Sequence, residues 1–283
     1  MKQSWGFTQG AQIGNGLTVL QTLGGGRRYE VFLVRDENVG ARAVAKVLRP
    51  DRVDDARAVN ALRREASFFE RLEHPVLVRG LGSVLGGPYP FLLLEYVDGA
   101  NLRDVLAAEA ALPVGEALDL ALDLLAAAEH VARHEIVHLD VKPSNVVMTD
   151  APRLIDLGAA RTLAELRIRR TPIGTAAYMA PEQCDPGSPL GTIGPPADVW
   201  GVGTTIYHAL TGRRPFSKPG PRGGELHQRY PQLVEEPRSI PDYVPEPVAR
   251  SLLPLLARDP ADRPTAAEAR AFLEPLAGEY AER

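Results

Sequence analysis

The first third of the chain alternates short apolar runs with glycine or charged turns, a pattern typical of β-strands joined by tight connections. The runs are LTVLQTLG at 17–24, YEVFLVRD at 29–36, ARAVAKVL at 41–48 and FLLLEYV at 91–97. One helical segment, 54–72, interrupts them with acidic residues at its start. Its apolar positions at helical spacing are Val59, Leu62, Phe69 and Leu72. The pattern predicts a small antiparallel sheet with one helix.

Beyond residue 99 the pattern changes to long helical periods rich in alanine and leucine. In the segment 114–134 one helix face carries Val114, Leu118, Leu122 and Leu125. The proline- and glycine-rich stretches 185–196 and 215–224 are typical of surface loops and are too short for interdomain linkers. The second part of the chain is therefore predicted to be mainly helical, with no internal repeat.

Composition narrows the classes of partner. The chain has 283 residues and a formal net charge of -4, so a sizeable core is expected and neither nucleic acid nor an anionic membrane is favoured as partner. The single cysteine, Cys184, excludes an internal disulfide and fits a reducing compartment. No apolar run reaches the roughly 20 residues of a membrane span, and the start lacks a secretory pattern. We expect a cytoplasmic chain, although a longer parent protein could carry an anchor.

The segment HEIVHLDVKPSNVVM is the strongest local signal for chemistry. It places Asp140, Lys142 and Asn145 close together, immediately before a β-type run. A carboxylate, a cation and an amide could therefore converge in one short loop. The letters KPSN are also favourable turn chemistry, so this segment alone leaves a catalytic loop and an ordinary turn both open.

A second carboxylate, Asp156, follows the apolar pair Leu154 and Ile155 in LIDLGAA. A carboxylate at the end of a buried strand is costly unless a cation meets it. Asn145 and Asp156 supply hard oxygen ligands, which suit Mg²⁺ or Mn²⁺ better than zinc, and such ions commonly also hold phosphate oxygens. An Asp that caps a turn remains the alternative.

Lys46 lies in the middle of the apolar strand AVAKVL. A lysine there must extend to solvent, lose its proton or find an anionic partner. Glu65 lies on the core-facing side of the following helix, since Leu62 and Phe69 flank it at helical spacing. A Lys46–Glu65 pair would satisfy both charges.

Seven motifs occur in the order and spacing of the protein kinases: AVAK, a helical Glu, HLDVKPSN, DLG, GTAAYMAPE, DVWGVG and DPADRP. The chain most resembles the eukaryotic-like, or Hanks-type, serine/threonine kinases of bacteria, over about 17–275. The resemblance implies an α+β, two-lobed kinase fold with ATP in the cleft between the lobes. The implied organisation is an N-terminal extension 1–16, a kinase domain 17–277 and a C-terminal tail 278–283. The domain would divide into an N-lobe 17–95 with an antiparallel sheet and one helix, a hinge 95–98 and a larger, mainly helical C-lobe 99–277.

In that family the N-lobe and hinge bind ATP. Lys46, oriented by Glu65, would hold the α- and β-phosphates. Leu94 would be the gatekeeper, and the backbone of Glu95 and Val97 would face the adenine. The remaining implied contacts come from the glycine-rich loop: Leu23, Gly24, Gly25, Gly26, Arg27 and Val31. Arg27 and Arg28, at the loop tip, face solvent or add charge near the γ-phosphate.

The resemblance also assigns the catalytic roles. Asp140 would accept or orient the proton of the attacking hydroxyl, while Asn145 and Asp156 bind Mg²⁺, with Mn²⁺ an alternative. Lys142 and Thr175 match the serine/threonine subclass. The implied activity is transfer of the γ-phosphoryl group of ATP to Ser or Thr hydroxyls of protein substrates, with autophosphorylation. A dimer would serve autophosphorylation between two copies.

Three further implied contacts are architectural. Glu182 of APE should pair with Arg263 in a buried ion pair. Asp198 should hold the backbone of the catalytic loop. An apolar stack that registers the two lobes should contain His138, Phe69 and Leu157.

Two positions depart from the family pattern. Leu139 replaces the arginine of HRD that binds an activation-loop phosphate, so loop phosphorylation is expected to have only a modest effect on rate. Tyr29 falls on the third glycine of the glycine-rich loop. Thr171 and Thr162 are the candidate phosphosites, near Arg161, Arg167, Arg169 and Arg170, which form either a functional cluster or a solvated loop face.

Two other functions compete with protein phosphorylation. A pseudokinase that binds nucleotide or acts as a scaffold is consistent with Leu139 and Tyr29, yet the full catalytic set is present. A small-molecule kinase of the aminoglycoside phosphotransferase type has similar Asp and Asn spacing but lacks the APE segment and its arginine partner. The physiological substrate is not encoded in these motifs.

Overall fold

The computed structural model describes residues 3–14, 16–221 and 223–281. Parts of the expected N-terminal extension and C-terminal tail, at positions 1, 2, 15, 282 and 283, lie outside the described residues. The chain divides into two compact units. The first comprises 1–73 with 78–98, and the second comprises 74–77 with 99–283.

The first unit is built on a 6-stranded antiparallel sheet. Its spatial order is β1-β2-β3-β4-β6-β5. The strands are β1 (Gln12–Ile13), β2 (Leu17–Gly25), β3 (Tyr29–Asp36), β4 (Ala41–Leu48), β5 (Gly80–Val84) and β6 (Phe91–Glu95). The four apolar runs in the sequence therefore form β2, β3, β4 and β6, because their alternating side chains cover one buried face.

Two strands have no equivalent in the hydrophobic pattern. β5 reads GLGSV, is exposed at every position and lies at the edge of the sheet. Backbone pairing with β6 holds it, so its sequence carries no apolar alternation to recognise. β1, inside the expected N-terminal extension, pairs with the start of β2.

The single helix of this unit, α1, spans Ala56–Arg71. The Asp55 carboxylate caps it by accepting hydrogen bonds from the backbone N–H groups of Arg57 and Ala58. The buried face is shifted from the predicted one, since Phe68 is buried and Val59 and Phe69 are only partly buried. The alanines between the larger residues of α1 are small, so the face that packs against the sheet differs from the predicted one.

The second unit is mainly helical. Its helices are α2 (Leu102–Glu109), α3 (Val114–Arg133), α4 (Leu163–Arg167), α5 (Pro181–Cys184), α6 (Pro196–Thr211), α7 (Leu226–Arg229), α8 (Glu246–Leu252) and α9 (Ala266–Tyr280). Two short antiparallel strand pairs complete it: β7 (Ile136–Val137) with β10 (Arg161–Thr162), and β8 (Val146–Val147) with β9 (Arg153–Leu154). The two units together confirm the α+β class expected from the sequence.

Helix α6 is the centre of the second unit, and nearly all of its residues are buried. It ends at Gly212, which has φ 67°, a left-handed conformation that glycine adopts at little cost. Helix α3 packs against α6 and α9. Its buried face is wider than predicted, and Val114 and Leu122 are only half-buried, because it contacts neighbours on two sides. No helix among the described residues is both long and apolar enough to cross a bilayer.

Candidate active site

In the first unit, Lys46 and Glu65 form a buried ion pair. Lys46 lies at the centre of the sheet, opposite Val31 on β3 and Leu92 on β6. Its Nζ donates to Glu65 Oε1 at 2.7 Å and to Oε2 at 3.0 Å. Glu65 is 1% exposed and Lys46 8%. Each charge thus compensates the other in a site where neither would be stable alone.

The turn between β2 and β3 contains the glycine-rich loop. The Gly26 N–H donates to the Tyr29 carbonyl at 2.9 Å, which closes a tight turn whose tip residues, Arg27 and Arg28, are exposed. A Cβ on Gly25 would lie 2.6 Å from the same carbonyl, so only glycine fits there. The Tyr29 ring points toward β4, with its centroid 4.7 Å from Lys46 Nζ.

The other expected ATP contacts of this unit lie on β2, β3 and the end of β6. Leu94 is buried, whereas Glu95, Val97 and Val31 are half-buried and Leu23 is 45% exposed. The Glu95 N–H donates to the Arg79 carbonyl at 2.9 Å, and its carboxylate pairs with the Arg79 guanidinium. These interactions fix the backbone at the start of the predicted hinge.

Arg49 lies at the centre of a hydrogen-bond network that the sequence motifs do not predict. Its Nε donates to the Gly26 carbonyl at 2.9 Å, and its Nη1 donates to the Gln3 carbonyl at 3.0 Å and lies 3.5 Å from Glu30 Oε1. The buried Glu30 carboxylate also accepts from Ser4 Oγ and the Trp5 N–H. The N-terminal segment and the glycine turn therefore share one hydrogen-bond network.

In the second unit, a short loop after β7 carries Asp140, Lys142 and Asn145. Thr175, from a later segment, lies against this loop. Lys142 Nζ lies 2.5 Å from Asp140 Oδ2 and 2.7 Å from Thr175 Oγ1. Asn145 Nδ2 donates to the Asp140 carbonyl at 3.0 Å and to its Oδ2 at 3.2 Å. Asp140 Oδ1 is buried and accepts no hydrogen bond from the residues that the structure describes. One carboxylate oxygen is thus held by the loop, and the other is left to accept a proton or a hydroxyl donor.

Asp156 is connected to Asn145 through the backbone. The Ile155 N–H donates to the Asn145 carbonyl at 2.8 Å, and Val146 pairs with Leu154 in the β8–β9 ladder. Asp156 itself has φ 72°, uncommon for a residue with a Cβ, and its Oδ1 accepts from the Gly158 N–H at 3.2 Å. The pairing of β8 and β9 therefore brings together the backbone segments that carry Asn145 and Asp156.

Asp198, on α6, organises the backbone of this loop. Its carboxylate accepts from the N–H groups of His138 and Leu139, each at 2.7 Å. Leu139 has φ 68°, a strained conformation for leucine, and its side chain lies in the apolar cluster of Trp200 and Leu166. Burial raises the pKa of Asp198, and the two backbone hydrogen bonds oppose that rise. Leu139, which the resemblance to protein kinases aligns with a phosphate-binding arginine, is therefore part of the apolar core.

Gln183 is a buried residue that the motif comparison missed. Its Nε2 donates to the carbonyls of Leu139 at 3.0 Å and Ile173 at 2.9 Å, and its Oε1 accepts from the Ala180 N–H. It therefore ties the catalytic loop to the segment that carries Thr175. Its position next to Glu182 in the sequence is the only signal that could have drawn attention to it.

Glu182 and Arg263 form a bidentate ion pair. Arg263 Nη1 lies 2.7 Å from Oε1 and Nη2 lies 2.9 Å from Oε2, and both side chains are 0% exposed. The guanidinium also donates to the carbonyls of Pro196, Ala257 and Arg258 and lies 4.9 Å from the centroid of Trp200. All donors are satisfied, which makes this pair a rigid support for α5 and α6.

The remaining predicted residues are divided between the units. Thr162 is the N-cap of α4 and shares a capping box with Glu165, whereas Thr171 is exposed. His138 and Leu157 are buried in the second unit, and Phe69 is half-buried in the first. The stack expected from these three side chains stays a prediction.

The sheet with its Lys–Glu pair, the helical unit and the catalytic loop define a protein kinase. Residues 17–272 match the protein kinase domain family. The chain belongs to this family.

Individual relatives share this assignment. The chain is 34% identical over 265 residues to the serine/threonine-protein kinase PknB of Mycobacterium leprae, with 89% of this chain and 41% of the relative covered. PknB of Mycolicibacterium smegmatis is 34% identical over 268 residues, with the same coverage. PrkC of Bacillus subtilis, also named a serine/threonine-protein kinase, is 29% identical over 263 residues, with 92% of this chain and 40% of the relative covered. The chain thus spans about two-fifths of the length of these curated relatives.

Proposed function

We propose that this chain is a serine/threonine protein kinase that transfers the γ-phosphoryl group of ATP to Ser or Thr hydroxyls of proteins. The observation that carries the proposal is the Asp140 carboxylate. Lys142 and Asn145 hold its Oδ2, while its buried Oδ1 has no partner among the described residues. A buried carboxylate oxygen kept open in this way is suited to receive the hydrogen of an alcohol.

Asp140 is the group that takes the proton of the acceptor. The hydroxyl donates to Oδ1, which orients its oxygen lone pair toward the γ-phosphorus. As the bond between the hydroxyl oxygen and phosphorus forms, the bond from phosphorus to the β,γ-bridging oxygen breaks, and the proton passes to Asp140. Little further chemistry is required of the protein, because positioning and charge dominate phosphoryl transfer.

Lys142 and Thr175 complete the acceptor side. The ammonium of Lys142 lies between Asp140 and Thr175, so it can also neutralise charge that develops on the transferred group. The Thr175 hydroxyl fixes that ammonium. This arrangement supports a Ser or Thr acceptor over Tyr, in agreement with the names of the PknB and PrkC relatives.

The protein kinase pattern assigns the nucleotide contacts to residues of each unit. Lys46, oriented by Glu65, supplies an ammonium for the α- and β-phosphates. Asn145 Nδ2 is engaged by Asp140, which leaves the amide oxygen to a metal ion, and Asp156 supplies a carboxylate. A divalent ion, Mg²⁺ or Mn²⁺, would neutralise the phosphate charge.

The described residues hold no cluster of three or more His, Cys, Asp or Glu side chains for a metal. A magnesium ion held by one or two side chains and the substrate's phosphates fits this donor set.

Phosphoryl transfer from labelled ATP to a generic protein substrate, with Mg²⁺ and with Mn²⁺, tests the proposal. Asp140→Asn should abolish transfer, whereas Asp242→Asn, an exposed position in the same unit, should leave it unchanged. Binding of ATP without metal-dependent turnover would instead identify a pseudokinase. Transfer to a soluble metabolite but to no protein would identify a small-molecule kinase.

A further inference from the structure

A cavity of about 270 Å³ lies in the second unit, between the end of α4 and the loop that precedes α6. It has no part in the site described above. Its walls are formed by Leu166, Arg167, Arg169, Arg170, Pro186, Gly187, Ser188, Gly191, Thr192 and Ile193. We call it the arginine pocket.

Two arginines of the arginine pocket, Arg167 and Arg170, carry uncompensated charge over the described residues. Three arginines line it and no carboxylate does. Over the part of the chain that the structure describes, neither Arg167 nor Arg170 forms an ion pair, and Arg170 Nη1 donates only to the main-chain carbonyls of Arg167 and Arg169. Like charges gathered in a concave surface repel one another and create a positive potential that attracts an anion.

The guanidinium groups of Arg167 and Arg170 belong to exposed residues, and small residues complete the lining. Gly187 lies beside Arg170, and a Cβ there would be in ordinary van der Waals contact with Arg170 Cδ, at 3.5 Å. Ser188 and Thr192 add hydroxyl groups to the lining. Guanidinium and hydroxyl donors around one cavity are the set that binds a phosphoryl group, since arginine offers paired donors that match its oxygens.

We propose that the arginine pocket binds the phosphoryl group of a phosphorylated residue in a protein substrate, so that this kinase prefers substrates already phosphorylated near the acceptor. At about 270 Å³ the arginine pocket is slightly below the usual range for drug-sized ligands. The lining contains no aromatic ring on which a nucleotide base could stack. A charged side chain therefore fits better than a nucleotide.

The backbone links the arginine pocket to the acceptor site. Arg169 Nε donates to the Thr171 carbonyl at 2.7 Å, and its Nη2 donates to the Pro172 carbonyl at 3.3 Å. The same segment continues to Thr175, whose Oγ1 accepts from Lys142. A peptide bound along this segment could place one residue at Asp140 and a phosphorylated residue in the pocket. The inference rests on the proposed kinase activity, which it deepens.

Peptide kinetics test the inference. Each peptide carries one acceptor serine and one phosphothreonine within about eight residues on either side, a reach of roughly 26 Å in an extended chain. Each has an unphosphorylated twin. We expect at least one spacing to lower KM about tenfold or more relative to its twin. The double variant Arg167→Gln/Arg170→Gln should lose this advantage while phosphorylating the twin within about twofold of the wild-type kcat, since charge-assisted contacts to a phosphoryl group are lost.

Arg250→Gln is the matched control, because it also removes one exposed arginine charge from the second unit but lies on α8. It should keep the full preference for the phosphorylated peptide. An advantage that survives the double variant, or its absence at every spacing, would overturn the inference while leaving the kinase activity intact.

A binding measurement separates this inference from the proposed function. Fluorescence anisotropy of a labelled phosphothreonine peptide, with phosphatase-treated protein, needs no turnover. Wild-type protein should bind it at least about tenfold more tightly than the double variant does, and inorganic phosphate should compete only weakly. Binding of phosphate as tight as that of the peptide would indicate a free-anion site and contradict the assignment. The same measurement on autophosphorylated protein tests the chain's own loop: loss of peptide binding when Thr171 is phosphorylated would show that this loop is the occupant, which also contradicts the assignment.

Discussion

The ammonium group of Lys46 lies 4.7 Å from the centroid of the Tyr29 ring while it donates to Glu65. The resemblance to protein kinases aligns Tyr29 with the third glycine of the phosphate loop. The observed contact is favourable, because the face of an aromatic ring stabilises a nearby cation. The same ammonium is the group proposed to hold the nucleotide phosphates, so ring and phosphates compete for it.

Tyr29→Gly should therefore keep or lower KM for ATP. The ring contact amounts to about 0.5–2 kcal/mol, which becomes available to phosphate when the ring is removed. Tyr29→Phe is the matched control and should behave like the wild type, since it keeps the ring. A clear rise in KM for ATP in the glycine variant, measured by steady-state kinetics, would show that the loop depends on its tyrosine.

Arg49 should affect nucleotide binding without touching the acceptor site. It bridges the Gly26 carbonyl and the Gln3 carbonyl, so Arg49→Lys loses the forked geometry and loosens the glycine turn. We expect KM for ATP to rise roughly three- to tenfold with kcat nearly unchanged, a loss of about 1 kcal/mol. Arg35→Lys, an exposed arginine on β3, should change neither constant. An unchanged KM in the Arg49 variant would exclude this coupling.

The Glu182–Arg263 pair should dominate the stability of the second unit. Glu182→Gln leaves a buried guanidinium without its countercharge, which costs about 3–5 kcal/mol. This corresponds to a fall in Tm of roughly 6–20 °C in a thermal scan. The double variant Glu182→Leu/Arg263→Met should recover part of the loss, because no unpaired charge remains. Loss of the exposed pair Glu246–Arg250 should cost less than about 1 kcal/mol. Equal effects of the two pairs would contradict this ranking.

A histidine cluster should make stability depend on pH. Burial lowers the pKa of His74 from 6.5, and the neighbouring His130 and Arg270 lower it further. Burial likewise lowers the pKa of His130, with His134 and Arg133 adding to the effect. The unfolded chain then binds more protons than the folded one just below pH 6.5, so stability falls as the pH drops through this window and is retained above it. His130→Gln should flatten the dependence of Tm on pH between about 5.5 and 7. His227→Gln, on the exposed helix α7, should not. An unaltered slope in the first variant would rule out the cluster as its source.

Thr171→Ala should reduce kcat/KM by less than about a hundredfold, or roughly 2.7 kcal/mol. The resemblance to protein kinases aligns Leu139 with the phosphate-binding arginine, and Leu139 is buried in the core, so we expect a phosphate on Thr171 to find no partner at that position. Kinetics of the variant and mass spectrometric mapping of autophosphorylation sites provide the check. A larger loss would mean that phosphorylation of this loop controls activity by another route.

The sequence predicts some contacts of this protein and gives no signal for others. The strand and helix patterns place Lys46 and Glu65 on facing elements, and the structure brings them together as a buried pair. The apolar pattern of α1 predicts a buried face that differs from the observed one. The pattern does not predict β5, because Gly80–Val84 is held by backbone pairing with β6 rather than by its side chains. The sequence motifs also give no signal for Gln183, because the Leu139 carbonyl that its side chain binds is distant in the sequence.

The sequence by itself determined the apolar periodicity of β2, β3, β4 and β6, and the motifs that carry Asp140, Asn145 and Asp156. These features are local, and a strand or a loop motif records them within a few neighbouring residues. Only the tertiary structure decided that the Tyr29 ring faces Lys46, that Leu139 has a positive φ, and that Arg167 and Arg170 line a cavity with Gly187. These relationships depend on how distant segments pack, and the free energy of packing belongs to contacts that no single stretch of sequence contains.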